Sequence, residues 1–164
     1  MKTLTTAEAI EWCNTHQINL NAHKKPAREV PKGFHKARFD IPKEASKHLW
    51  FCRLTEHSLR PWTRCLLWIT EWGIWESSEN WHLYYRLRQS YEDRRLIEEA
   101  PAHMFFDYEA NDLISFLQIG LASGWDISLL SQDRYSHVFI SHDEWVEFVM
   151  QDKTEPEKIG AGLK

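Results

Sequence analysis

The sequence predicts an α+β, or mixed α/β, fold: one globular domain over residues 1–152, a sheet of about four strands with helices packed on it, and a frayed tail over 153–164. Three observations predict it. Capped segments with apolar residues at helical spacing interleave with short alternating segments. A length of 164 residues suits one domain. A content of 43% hydrophobic and 27% charged residues is an ordinary globular balance.

The elements follow in order. Thr5-Thr6-Ala7-Glu8 is a capping box, so a helix starts there and runs to about residue 17. Residues 18–33 hold Pro26, Pro31, Gly33 and many charges, and read as a loop or arm. Phe34–Ile41 alternates and stops at Pro42, which predicts a strand. Residues 45–57 fit a helix with a stripe of Ala45, Leu49 and Cys52, widened by Trp50, Phe51 and Leu54. A strand at 48–55 is the alternative. Cys65–Thr70 is apolar on both faces, with Cys65, Leu67 and Ile69 on one side and Leu66 and Trp68 on the other. Such strands are central and covered twice.

Ser78 is placed to cap a helix over about 79–92, with Trp81, Tyr84, Leu87, Arg88 and Tyr91 at helical spacing. Pro101 marks a connection, followed by a short extended piece at 103–106. Asp107 then caps an amphipathic helix whose stripe is Ala110, Leu113, Ile114, Leu117 and Leu121, ended by Ser123-Gly124. Gly120 on its buried side implies close approach of another backbone. Residues 125–131 and 136–141 form a strand pair joined by a polar turn at Gln132–Tyr135. Ser141-His142-Asp143-Glu144 reads as a second capping box opening a last helix to about Gln151.

Composition narrows the function classes. The cysteines Cys13, Cys52 and Cys65 are odd in number and widely spaced, so neither a disulfide framework nor a zinc ribbon is expected. With no apolar leader and no long uncharged apolar run, the sequence reads as a cytoplasmic protein without membrane contact. Residues 21–48 carry eight Lys/Arg against Glu29, Asp40 and Glu44, whereas 96–157 carry thirteen Asp/Glu against Arg134 and Lys153. Such polarity can steer a charged partner. The motifs GxGxxG, GxxxxGK[ST], HExxH and GxSxG are all absent.

Three clusters could carry function. His142, Asp143 and Glu144 could bind a divalent metal or pair a base with its orienter, but all three are also explained as a helix start. Glu71, Trp72, Trp75, Asn80 and His82 follow the end of the 65–70 strand, where Glu71 could act as an acid or base among rings. Equally, the rings could pack on the 79–92 helix, whose Tyr85 adds to a possible aromatic surface. Finally Arg86, Arg88, Arg94 and Arg95 interleave with Tyr84, Tyr85 and Tyr91, a combination that suits nucleic acid, although pI ≈ 6.1 argues against a dedicated nucleic-acid domain.

The aromatic excess of nine tryptophans, the charge asymmetry and the missing catalytic signatures lead to a first expectation. It is a non-enzymatic protein–protein interaction or regulatory module, immunity- or inhibitor-like, with no cofactor. Trp72, Trp75, Asn80, His82 and Tyr85 would be its contact residues, and a basic partner would face the acidic 96–157 half. The rival is a small hydrolase or nuclease using Glu71 or His142/Asp143/Glu144, with or without a metal. RNA or single-stranded nucleic-acid binding through the Arg/Tyr helix is the third reading.

Overall fold

The computed structural model describes residues 1–73, 81–132, 136–152 and 154–162, without the side chains of 155–157 and 162. The strands are β1 Lys2–Leu4, β2 His35–Asp40, β3 Arg64–Glu71, β4 Ala102–Phe106, β5 Asp126–Ser131, β6 His137–Ser141 and β7 Trp145–Met150. The helices are α1 Thr6–Thr15, α2 Ala45–Ser58, α3 Trp81–Gln89, α4 Ala110–Ala122 and α5 Thr154–Gly162. The fold is α+β, but the sheet has seven strands rather than about four, in the order β1-β4-β3-β5-β6-β7-β2. Every pairing is antiparallel.

The sheet separates two cores. On one face α2, α3, α4 and α5 supply Phe51, Tyr84, Leu117 and Ile159 to a cluster with Cys65, Leu67 and Ile69. On the other face α1 lays Ala9 and Cys13 against Leu66, Trp68 and Leu130. The two-sided apolar pattern of β3 therefore means what it suggests: a central strand covered on both faces. The Thr5–Glu8 capping box is present and starts α1. Gly124, at φ 64°, follows the Ser123 cap of α4 and turns the chain into β5.

Several expectations change. The last capping box is a hairpin turn: Glu144 N donates to the Ser141 carbonyl at 3.2 Å, and Glu144 itself adopts φ 62°. A type I turn followed by a left-handed residue is a usual three-residue hairpin loop. The following segment is β7, because Val146, Phe148 and Met150 alternate into the helix-covered core while Glu147 takes the other face. The three-residue β1 is too short to carry a readable alternation.

Asp107 is not the cap of α4. It opens a 3-10 turn after Phe106, and Glu109 Oε2 accepts the Phe106 N–H at 3.0 Å. Gly120 is approached not by backbone but by the Ile127 side chain, since a Cβ there would stand 2.2 Å from Ile127 Cδ1. Residues 45–58 are helical, but the packed face is Phe51, Cys52 and Thr55, with Leu49 and Trp50 partly exposed. Where a frayed tail is expected, Thr154–Gly162 is a helix that buries Ile159. The Ser78 cap and residues 133–135 of the polar turn lie outside the described residues. No described helix is long and apolar enough to cross a membrane.

Candidate functional site

Because all neighbours are antiparallel, the end of β3, the start of β5 and the end of β6 share one edge of the sheet. The register pairs Glu71 with Asp126 directly, after a shift between Ile69 and Glu71. That irregularity leaves Thr70 as the odd residue. Its hydroxyl donates to the Asp126 carbonyl at 3.3 Å, and the Lys25 ammonium donates to its carbonyl. Bulges of this kind re-aim the side chain that follows them. On the other flank, Asp126 Oδ1 accepts the His142 N–H at 2.8 Å, and His142 Nδ1 lies 2.8 Å from the same oxygen. The β6–β7 hairpin tip is thus clamped onto the first residue of β5.

One ligand-type atom from each of Glu71, Asp126 and His142 lies within 4.8 Å of the other two. Ligands bonded at about 2.3–2.6 Å, as to Ca²⁺, can stand up to about 5 Å apart on opposite sides of one ion. For bonds of about 2.0–2.2 Å the limit is about 4.4 Å. The mutual distances are of the order that ligands of one cation show, nearer to those of a larger oxygen-seeking ion than of a small one. Two carboxylates with one imidazole suit Mn²⁺, Mg²⁺ or Ca²⁺ better than a thiophilic ion.

Partial desolvation pulls the His142 imidazole down. The hydrogen bond to Asp126 and the charges of Asp126, Asp143 and Glu71 outweigh it and hold the imidazole above its ordinary value. Glu71 is exposed, while Asp126 and His142 are half-buried, so the group is open to solvent on one side. Beside His142 a cleft of about 250 Å³ opens between Ile41, His48, Leu121, Trp125 and Ile140. It is smaller than a typical drug-sized pocket and suits a small group.

The structure joins two clusters that are separate in the sequence, bringing Glu71 and His142 together. Asp143 is exposed, with Oδ1 3.5 Å from His142 Nε2. Glu144 lines the cleft, and its carbonyl accepts the Ile41 N–H at 2.9 Å. Trp72 is half-buried and packs against the main core. Tyr85 is half-buried too, its hydroxyl accepting the Ile97 N–H at 3.2 Å. His82 is exposed on α3, and His137 is buried within β6; neither belongs to the Glu71 group. Trp75 and Asn80 lie outside the described residues.

The residue that sequence reasoning missed is Asp126. A lone acid after Trp125 at a strand start carries no local signal of its partner across the sheet.

The Arg/Tyr helix does not present a basic surface at its centre. Arg88 and Tyr84 are fully buried, and Arg88 Nη1 donates to the Tyr84 hydroxyl at 2.6 Å. No protein-family model, curated protein or solved structure matches the chain.

Proposed function

We propose that the protein binds a divalent cation through Glu71, Asp126 and His142 and uses it for hydrolysis in the adjoining cleft. The observation that carries this reading is the convergence of two carboxylates and an imidazole from three strand ends on one small volume. A cation there would polarise a substrate oxygen and lower the pKa of a water bound to it. Glu71, exposed at the rim, would hold the ion or take a proton from that water.

The test is calorimetric titration of Mn²⁺ into the wild type, Asp126→Asn and Glu71→Gln, followed by turnover of an activated phosphodiester with and without the ion. Saturable binding that weakens at least tenfold in Asp126→Asn, with turnover that needs the ion, supports the reading. No heat of binding to the wild type sinks it. The interaction-module reading keeps less support: Trp72 packs on the core, and the exposed large aromatic side chains among the described residues are Trp50 and Tyr108.

A further inference from the structure

The combination of cations and rings expected on α3 occurs elsewhere, at the corner where the 18–33 arm crosses the edge strand β2. Arg38 stands over Trp145, its guanidinium carbon 3.5 Å from the ring centroid. Arg28, from the arm, covers Phe139 at 4.4 Å and reaches Trp145 at 5.7 Å. The two rings are themselves 5.3 Å apart. Lys36, two residues before Arg38 on the same face of β2, bonds Glu147 at 2.9 Å. Among the described residues neither guanidinium has a hydrogen-bond or ion-pair partner. Three cations, Arg28, Lys36 and Arg38, meet the buried Glu147 and the exposed Asp40, which lies two residues beyond Arg38 on the same face of β2. Beneath them the fully buried His137 is pushed down to about 4, by desolvation first and then by Arg28 and Lys36.

We propose that this Arg28–Lys36–Arg38 face binds single-stranded nucleic acid. Stacking on Phe139 and Trp145 fixes the guanidinium planes and leaves their N–H edges for phosphate, which they can grip in bidentate fashion. The outer face of each plane is a platform for a base, the arrangement single strands use with rings and arginines. Lys36 and Arg38 stand about 7 Å apart along the strand, as alternate residues do, so they meet a repeating anion better than an isolated one. Guanidiniums seated over rings are what separates this partner from an acidic protein, whose carboxylates need the charge but not the rings.

The strand that follows the His142 hairpin begins at Trp145, which lies opposite Asp40 in the register. A bound strand that continued along β2 from Lys36 past Arg38 would pass Asp40 and meet the β6–β7 hairpin that carries His142. Its phosphodiesters become the substrate only if the cation reading also holds; the binding itself does not rest on it.

The test is fluorescence anisotropy with a labelled oligouridylate of about twelve nucleotides, in EDTA, from about 50 mM salt upward. The expected result is saturable binding that weakens with salt, with a log–log slope near −2 for about three phosphate contacts. Arg28→Gln/Arg38→Gln loses at least tenfold, Arg38→Lys an intermediate amount, and Arg86→Ala on α3 nothing. Circular dichroism melts confirm that the variants fold, and the single exposed-site variant Arg38→Gln carries the test if the double does not. No binding at the lowest salt overturns the proposal, as does unchanged affinity in Arg38→Gln. Displacement of the oligonucleotide by polyglutamate at equal charge also overturns it, and assigns the face to an acidic protein. EDTA removes divalent ions, so failure of the cation reading shows only in the Mn²⁺ titration.

Discussion

Two polar groups of similar chemistry sit on opposite terms with the core. Tyr84, Arg88, His103 and Asp93 form a closed chain. Arg88 Nη1 bonds the Tyr84 hydroxyl, that hydroxyl lies 3.1 Å from His103 Nε2, and Arg88 Nη2 reaches Asp93 at 3.3 Å. Arg88, Tyr84 and His103 are wholly buried, and Phe116 and Trp125 edge onto the Tyr84 ring. Glu71, Asp126 and His142 also pair acids with a basic ring, but at strand ends and open to solvent.

The difference teaches where each group's free energy goes. A buried charge must be paired, so the first chain is committed to the fold. The second leaves acceptor oxygens uncommitted, which is what a ligand needs. Perturbation should therefore unfold the protein at the first and spare the fold at the second.

The largest effect is expected for Arg88→Leu. Removing the guanidinium takes a charged donor from the buried Tyr84 hydroxyl, which keeps His103, and one of two arginine partners from Asp93, which keeps Arg95, at about 2–4 kcal/mol. Urea titration should show that loss with the slope unchanged; a cost under about 1 kcal/mol would mean the chain is not structural.

Acid comes next. Burial, then the Arg88 charge, pushes His103 down to about 3, and His137 lies at about 4. Unfolded histidines bind protons near pH 6.5 while these two do not, so stability is full above that pH and falls as pH drops toward 4 and then 3. Melts from pH 7 to pH 4 should show the decline, and His137→Asn should make it shallower. A pH-flat stability would contradict the assignment.

A steric lesion beside the open group should be intermediate. Gly120→Ala drives a methyl into Ile127, the neighbour of Asp126, at about 1–3 kcal/mol. Ile127→Val removes the clashing Cδ1, so the double variant should recover most of the loss in the same urea assay.

The smallest stability change belongs to Glu71→Gln, within about 0.5 kcal/mol because the side chain is exposed, yet this variant should lose Mn²⁺ affinity. A large loss of stability there with affinity intact would reverse the comparison.

Much of the fold is legible in the sequence. The Thr5–Glu8 box, the stripes of α3 and α4 and the two-sided β3 all stand where the pattern puts them. Ser141–Glu144 misled because the same residue types serve a helix start and a type I turn, and only the pairing of β7 with β6 and β2 chose between them. Two of the three candidate-site residues, Glu71 and His142, were visible as members of two unrelated clusters. Arg88 looked like part of a basic helix face, since helical spacing does not say which polar residues a core will enclose.

By itself the sequence determined what depends on neighbours a few residues away: the Thr5–Glu8 cap, the periodicity of the helices and the apolar faces of β3. Tertiary structure alone decided which distant residues meet. Antiparallel pairing set Asp126 beside Glu71, the hairpin folded His142 onto Asp126, and the arm laid Arg28 across Phe139. Those contacts arise from sheet register and burial, which are properties of the whole chain and leave no mark in local spacing.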